Sequence, residues 1–430
     1  MPPSANGQHR VVITGLGAVT NIGHNADSVW TSMRDGKSGI TPIANMGDMK
    51  FDDYTGWSST VGGQVHDWTP SPVLEGREAK KLDRCTQLGV FAAHEAVTSS
   101  GVDFSAEDPS RVGCIVGSGI GGIYTIETGV KTLVSRGPDR INPFTVPRLM
   151  ANAVVGNLAI RYGLRGPATA HATACASSGH AIGDAMQYLR RGMTDVMLVG
   201  GAEAACTPLC LGAFMTMKAL TTRNDEPQRA SRPFDVDRDG FVLSEGAAMY
   251  VLETEEHAKK RGANILGELV GFGNSCDAHH ITAPDPEGSG ALGAMRMALA
   301  DAQLAPDSIG YVNAHGTSTP LGDAAEVAAV THLFGDHVRR SAGGKMLMSS
   351  TKSVHGHCLG ASGAIEMIAC LRAVREGVVA PTINLDNPDA EFDIDLVAHE
   401  AKQADVALAM NNTFGFGGHN VTLIVGRYTG

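Results

Sequence analysis

Cysteine and histidine carry the nucleophilic and acid–base potential of this chain, and one cysteine stands in a different setting from the rest. Cys175 lies in Thr173-Ala-Cys-Ala-Ser-Ser-Gly179, between a strand-like run at 168–174 and a small-residue helix expected over 178–191. A thiol at a helix N-terminus faces the positive end of the helix dipole, which favours the thiolate and predicts a lowered pKa. Cys85, Cys114, Cys206, Cys210, Cys276, Cys358 and Cys370 are scattered, form no C-x-x-C pair, and read as reduced core thiols. His315 lies in Tyr311-Val-Asn-Ala-His-Gly-Thr-Ser-Thr319, where a strand breaks into a polar loop, and His357 in Lys352-Ser-Val-His-Gly-His. One nucleophile with histidines elsewhere in the chain is a pattern of covalent catalysis. His355-x-His357 also has the look of two metal ligands, with His279, His280 and His315 as further donors. No second ligand pair has the usual spacing, so no metal site is expected.

These side chains need a scaffold, and the chain reads as alternating β and α. Short apolar runs closed by glycine start at Arg10, Arg111 and Asp195, as expected of strands buried on both faces. Between them lie helical patterns, such as Leu292, Met295, Leu299 and Ala302. A charged helix is expected from Glu253 to Lys260, and the seam between domains follows it near Gly262. Across that seam there is an echo. Strand, reactive turn and small-residue helix at 168–192 are matched by strand (346–350), turn (351–357) and helix (to Gly377). Two similar halves are therefore expected, at 1–262 and 263–430.

One glycine loop invites another reading. Gly117-Ser-Gly119-Ile-Gly121-Gly122 matches G-x-G-x-x-G after a strand, but no second strand ending in an acidic residue follows. The loop reads instead as a tight turn where backbones approach closely. There is no G-x-x-x-x-G-K-[ST] phosphate loop.

The chain has 430 residues, a net charge of −11, 18% charged and 43% hydrophobic residues. That is the composition of a folded protein with a large core. Its acidic balance argues against nucleic acid as a partner. The first eight residues lack a basic segment followed by an apolar stretch, and no apolar run approaches the roughly 18–20 residues of a bilayer span. A cytoplasmic protein is expected.

Four motifs together resemble the β-ketoacyl-[acyl-carrier-protein] synthases of the thiolase superfamily, most closely the elongating synthase II type. They are TACASSG at Cys175, NAHGTSTPLGD at His315, STKSVHGHCLGASG at Lys352 and His357, and NTFGFGGHN at Asn412. The likeness extends from VVITGLGAV at Val11 through TRNDEPQRASRPFD at Thr222 to PTINLDNPD at Pro381. It implies an α/β thiolase-like duplicated fold, two βαβαβ-type halves in α-β-α-β-α layers, and a homodimer. It makes Cys175 the nucleophile, His315 and His357 its partners, Lys352 and Glu366 a supporting charge pair, and Phe416 a gate. It also assigns Thr317 and Thr319 to pantetheine, and Phe214 and Ile120 to the acyl tunnel. Arg77, Lys80 and Lys81, with Arg140 and Lys218, would dock an acidic carrier protein. His355 and His419 stand where a threonine is usual, and an added imidazole near the site would shift its pH profile.

The reaction implied is a decarboxylative condensation of a Cys175-bound acyl group with malonyl thioester, in fatty acid elongation. It implies no metal and no resident cofactor, since the phosphopantetheine of the carrier protein holds the substrates. The backbone N–H groups of Cys175 and Phe416 would stabilise the tetrahedral oxyanion, and two neutral histidines the enolate. A ketosynthase of a polyketide or aryl-polyene pathway is the nearest alternative. A degradative thiolase and a non-catalytic partner subunit are more distant.

Overall fold

The computed structural model describes residues 8–45 and 55–430. The polar segment from which no secretory leader was expected lies almost wholly outside them. The first half runs β1 (Val11–Thr20), α1 (Arg84–Ser100), β2 (Val112–Gly117), α2 (Ala153–Tyr162), β3 (Ala168–His171), α3 (Ser177–Arg190), β4 (Val196–Ala204) and β5 (Glu245–Thr254). The second repeats that order with β6 (Gly267–Cys276), α4 (Ser289–Ala302), β7 (Tyr311–Asn313), α5 (Pro320–Phe334), β8 (Leu347–Ser349), α6 (Ser362–Glu376), β9 (Leu408–Gly415) and β10 (His419–Gly426).

The strands order as β8-β7-β9-β10-β6-β1-β5-β4-β2-β3. Read outward from the centre, both halves run first, fifth, fourth, second, third. Pairing sense repeats too: second with third and second with fourth are parallel, and the other pairs antiparallel. The halves join where Val11–Ile13 of β1 pair with Gly267–Leu269 of β6.

Strand alternation separates the core into layers. On β4, Val196 and Leu198 pack outward with Leu88 of α1 and Leu158 of α2. Met197 and Val199 pack inward with Ile182 of α3 and Ile365 and Ile368 of α6. On the other half, Met410 of β9 and Ile424 of β10 pack outward with Met295 of α4 and Val330 of α5. Helices α3 and α6 thus lie between the two halves of the sheet. From Ser362 to Leu371, α6 is buried at every position, which a central helix requires. Close packing demands small residues on both helices: a Cβ on Gly183 of α3 would fall 2.2 Å from Cδ2 of Phe272 on β6, and one on Gly363 of α6 3.2 Å from the Gly179 nitrogen of α3.

Two expectations are corrected. Glu253 belongs to β5, and the charged helix starts at Glu255, because Thr254 caps it by accepting from the His257 N–H. Cys276 is exposed rather than in the core; it ends β6, where the strand leaves the sheet.

Candidate active site

Cys175 occupies a sharp turn between β3 and α3. Ala174 takes a left-handed backbone (φ 50°), residues 174–176 form one 3-10 turn, and α3 starts at Ser177. The same turn recurs before α6, with Leu359 at φ 44°, a 3-10 turn over Leu359–Ala361, and Ser362 opening the helix. The structural counterpart of the 174–176 turn is therefore 359–361, rather than the 351–357 segment expected from the sequence echo. Gly360 stands in the place of Cys175.

The second half brings its imidazoles to the first half's thiol. His357 Nε2 lies 3.0 Å from Cys175 Sγ, and His357 Nδ1 lies 2.9 Å from Ser362 Oγ. His315 stands edge-to-face with His357, ring centroids 5.3 Å apart, and the donor atoms of all three side chains lie within 4.8 Å of one another. Two ligands on tetrahedral zinc would sit about 3.5 Å apart, from Zn–S and Zn–N lengths of about 2.3 and 2.0 Å. The Sγ–Nε2 spacing fits a hydrogen bond instead. His355 is turned away from this group, its Nε2 3.3 Å from Thr351 Oγ1.

Behind the imidazoles, Lys352 Nζ sits 3.4 Å from His315 Nδ1 and pairs with Glu366. An ammonium has only donors, so His315 Nδ1 accepts and its proton resides on Nε2. Desolvation and the Lys352 charge push His315 and His357 well below the usual imidazole range. Both are neutral at pH 7. The same forces push His355 down to about 3, so this extra imidazole adds no charge near neutrality.

The expected low pKa of Cys175 is overturned. Burial pushes its thiol up to about 12, and the opposing pull of Lys352 and the Phe416 N–H does not cancel that desolvation. The thiol is protonated at rest.

Phe416 sits at the tip of the β9–β10 hairpin, where Gly415 pairs with His419 across a three-residue loop. Gly417 and Gly418 adopt φ of 84° and 74°, left-handed values that suit this short loop. His419 closes the hairpin with its ring beside Gly417.

A cavity of about 600 Å³ opens onto Cys175, His315 and His357 and is lined also by Ile120, Phe214 and Phe416. Phe416, Phe214, Phe241 and His357 form a string of tilted and edge-on rings with centroids 5.2–6.4 Å apart. Thr317 and Thr319 also line it, their hydroxyl oxygens 2.9 Å apart.

Residues 8–258 match the family described as "Beta-ketoacyl synthase, N-terminal domain", and residues 266–386 its C-terminal domain. The chain belongs to the β-ketoacyl synthase family. It is 46% identical to a 3-oxoacyl-[acyl-carrier-protein] synthase 2 of Vibrio harveyi, over 97% of this chain and 98% of that one. It is 43% identical to the protein so named in Synechocystis, over 97% and 98%. Among solved structures, the ishigamide ketosynthase/chain length factor superposes with a TM-score of 0.90 at 32% identity, covering 98% of this chain and all of that one. A type II PKS acyl-carrier protein in complex with its ketosynthase gives 0.88 at 29%, over 98% and 100%.

On this synthase chain the basic candidates divide. Arg77, Lys80, Lys81, Arg140 and Lys218 are all exposed, but only Lys218 lines the cavity. Lys81 lies over the Phe144 ring at 5.5 Å, which ties the 77–81 segment to the region after Arg140.

Sequence reading missed three groups. Glu326 accepts the His315 and Gly316 N–H groups at 2.9 and 2.8 Å and positions the His315 loop. Ser362 partners His357. Glu203 lies buried beside the Gly117–Gly122 loop. An acid in an apolar strand or in the Ala-rich run of a helix was the available signal for the two glutamates, since buried carboxylates are rare without a purpose.

Proposed function

We propose that this chain catalyses chain elongation in type II fatty acid biosynthesis. An acyl group carried on Cys175 condenses with malonyl-[acyl-carrier-protein], giving 3-oxoacyl-[acyl-carrier-protein] and CO2. The observation that carries this reading is the buried Cys175–His357 contact at 3.0 Å, with neutral His315 beside it and Lys352–Glu366 behind. The names of the relatives support the same activity.

In the first half-reaction, Cys175 Sγ attacks the acyl thioester and the carrier's thiolate departs. The Sγ proton passes to that leaving sulfur, while His357 keeps its own proton on Nε2, aimed at Sγ across the 3.0 Å contact. The tetrahedral oxyanion points to the N–H groups of Cys175 and Phe416, and Phe416 gates the cavity. In the second, malonyl thioester loses CO2, and Nε2–H groups of His315 and His357 stabilise the enolate oxygen. The enolate carbon then attacks the acyl-Cys175 carbonyl, and Cys175 leaves as thiolate and takes up one proton from solvent water. Lys352 and Glu366 act as positioning residues that hold His315 in its Nε2–H form. Thr317 and Thr319 bind pantetheine, and Ile120 and Phe214 shape the acyl end.

The phosphopantetheine arm of acyl carrier protein delivers both substrates, with no resident metal or cofactor. Its acidic surface docks on Arg77, Lys80, Lys81, Arg140 and Lys218. Residues 1–262 form the half that supplies the nucleophile, and 263–430 the half that supplies both histidines. A homodimer is supported by exposed apolar side chains between 130 and 160, including Val134 at 82% and Ile160 at 85%, and by the single-neighbour edge strand β3. Among the described residues no helix is long and apolar enough to cross a membrane, and we place the protein in the cytoplasm.

Mass detection of an acyl group on Cys175 after incubation with acyl-carrier protein tests the assignment. Cys175→Ala is expected to lose both the adduct and condensation. Undiminished condensation by that variant would overturn it. The polyketide alternative is favoured by the structural neighbours; iterative extension of unreduced 3-oxoacyl chains would select it.

A further inference from the structure

Glu203 is a buried acid for which the proposed chemistry has no use. It stands near the end of β4 with no solvent exposure and, among the described residues, no ion-pair partner. Its carboxylate accepts instead from Ser118 Oγ at 3.0 Å, the Gly119 N–H at 2.6 Å, the Ile120 N–H at 3.3 Å and the Gly360 N–H at 3.1 Å. Ser118 Oγ in turn accepts the Gly121 N–H at 3.0 Å. The glycine loop that mimics a nucleotide fingerprint is thus a cradle wrapped around the protein's own carboxylate.

A buried carboxylate with no counter-cation is costly, and an apolar residue would complete β4 without that cost. What the carboxylate supplies is aim. It fixes the backbone of Ile120 at its own N–H, and Ile120 lines the cavity with Cys175 and Phe214. Through Gly360 it ties that wall to the second 3-10 turn. There is no room for a side chain at this junction, since a Cβ on Gly360 would lie 2.2 Å from the Gly119 nitrogen.

We propose that Glu203 is a positioning residue for acyl-chain selection: by clamping the Gly119–Ile120 backbone to Gly360 it sets the cavity wall that decides which acyl groups reach Cys175. The proposal rests on the condensing activity above. Desolvation raises the Glu203 carboxyl to about 7. It faces the hydroxyl of Ser118, the amides of Gly119, Ile120 and Gly360, and, more distantly, the thiols of Cys85, Cys175, Cys210 and Cys358. No cation among these holds it ionised. Protonation replaces an acceptor with an O–H donor and loosens the clamp, so wild-type chain selectivity also changes near pH 7.

The test is acylation of Cys175, followed by mass across short and long acyl-carrier proteins, beside decarboxylation of malonyl-carrier protein. Glu203→Gln presents an amide N–H2 to N–H donors. Its long-to-short acylation ratio is expected to change by about tenfold, the scale of a misplaced methylene in an apolar pocket. Decarboxylation should fall less than acylation of the disfavoured chains, and the pH dependence of the ratio should vanish. Ser118→Ala, which removes one donor, should move the ratio the same way by less. In an Ile120→Ala background, Glu203→Gln should change the ratio by under roughly twofold. An unaltered ratio in Glu203→Gln, or in Ser118→Ala if the first variant does not fold, would overturn the proposal. So would a decarboxylation loss exceeding the acylation loss. Failure of the wild type to acylate Cys175 from any carrier-bound chain would instead overturn the condensing activity itself.

Discussion

The two 3-10 turns before α3 and α6 share a left-handed residue, a helix-opening serine and a place between the sheet halves, yet only one bears a nucleophile. At Cys175 the turn faces the cavity and holds a thiol against His357. At Gly360 the turn is filled by its neighbours, with the Gly119 nitrogen and Glu203 Oε2 occupying the space of a side chain. The loops after the second strand of each half differ likewise. After β7 the loop delivers His315 and rests on Glu326; after β2 it delivers Ile120 and rests on Glu203. Duplication thus supplied the same frame twice, with the thiol on the first copy and the imidazoles on the second. The division has a physical logic. His357, just before the second turn, meets the thiol at 3.0 Å, and the loop after β7 brings His315 beside them, with the donor atoms of all three within 4.8 Å of one another.

That comparison can be broken most severely at the imidazoles. His315→Ala and His357→Ala should each lower malonyl decarboxylation by about 10²–10³, the usual cost of removing an oxyanion donor, as read by CO2 release. Equal activity with either histidine missing would mean that the second half does not serve the first half's thiol. At the silent turn, Gly360→Ala should cost about 1–3 kcal/mol in denaturant unfolding, because the new methyl meets backbone rather than a movable side chain. A neutral result would show that this turn has room for a side chain after all.

Charge sharpens the comparison at smaller scale. His315 and His357 are held well below 6.5, so they remain neutral as pH falls through that value. The acid limb of decarboxylation should therefore lie below pH 6.5. Lys352→Met removes a cation that opposes imidazolium formation, so both pKa values rise and the limb moves to higher pH. An unmoved limb would separate Lys352 from the histidines. The smallest effect is expected at the surface. Lys80→Glu with Lys81→Glu should raise the apparent KM for carrier protein at low salt, and less at high salt as screening shortens the charge's reach. A KM unchanged at low salt would remove that segment from the docking surface.

Much was legible in the chain before folding. The glycine-bounded apolar runs gave β1, β2 and β4, since strands buried on both faces cannot alternate with polar residues. Four motifs in order marked Cys175, His315, Lys352, His357 and Phe416 through their resemblance to the β-ketoacyl synthases. The boundary near Glu253 was misread, since a charged strand end and a charged helix start look alike without the Thr254 cap in view.

By its residue order alone, this protein has a duplicated α/β scaffold and a thiol with histidine partners far along the chain. Tertiary structure decided what those groups are. Burial, which no local pattern reports, makes the thiol a protonated group at rest and the histidines neutral. It also gave the glycine loop its occupant, because Glu203 lies more than eighty residues beyond that loop, and only the pairing of β2 with β4 brings them together.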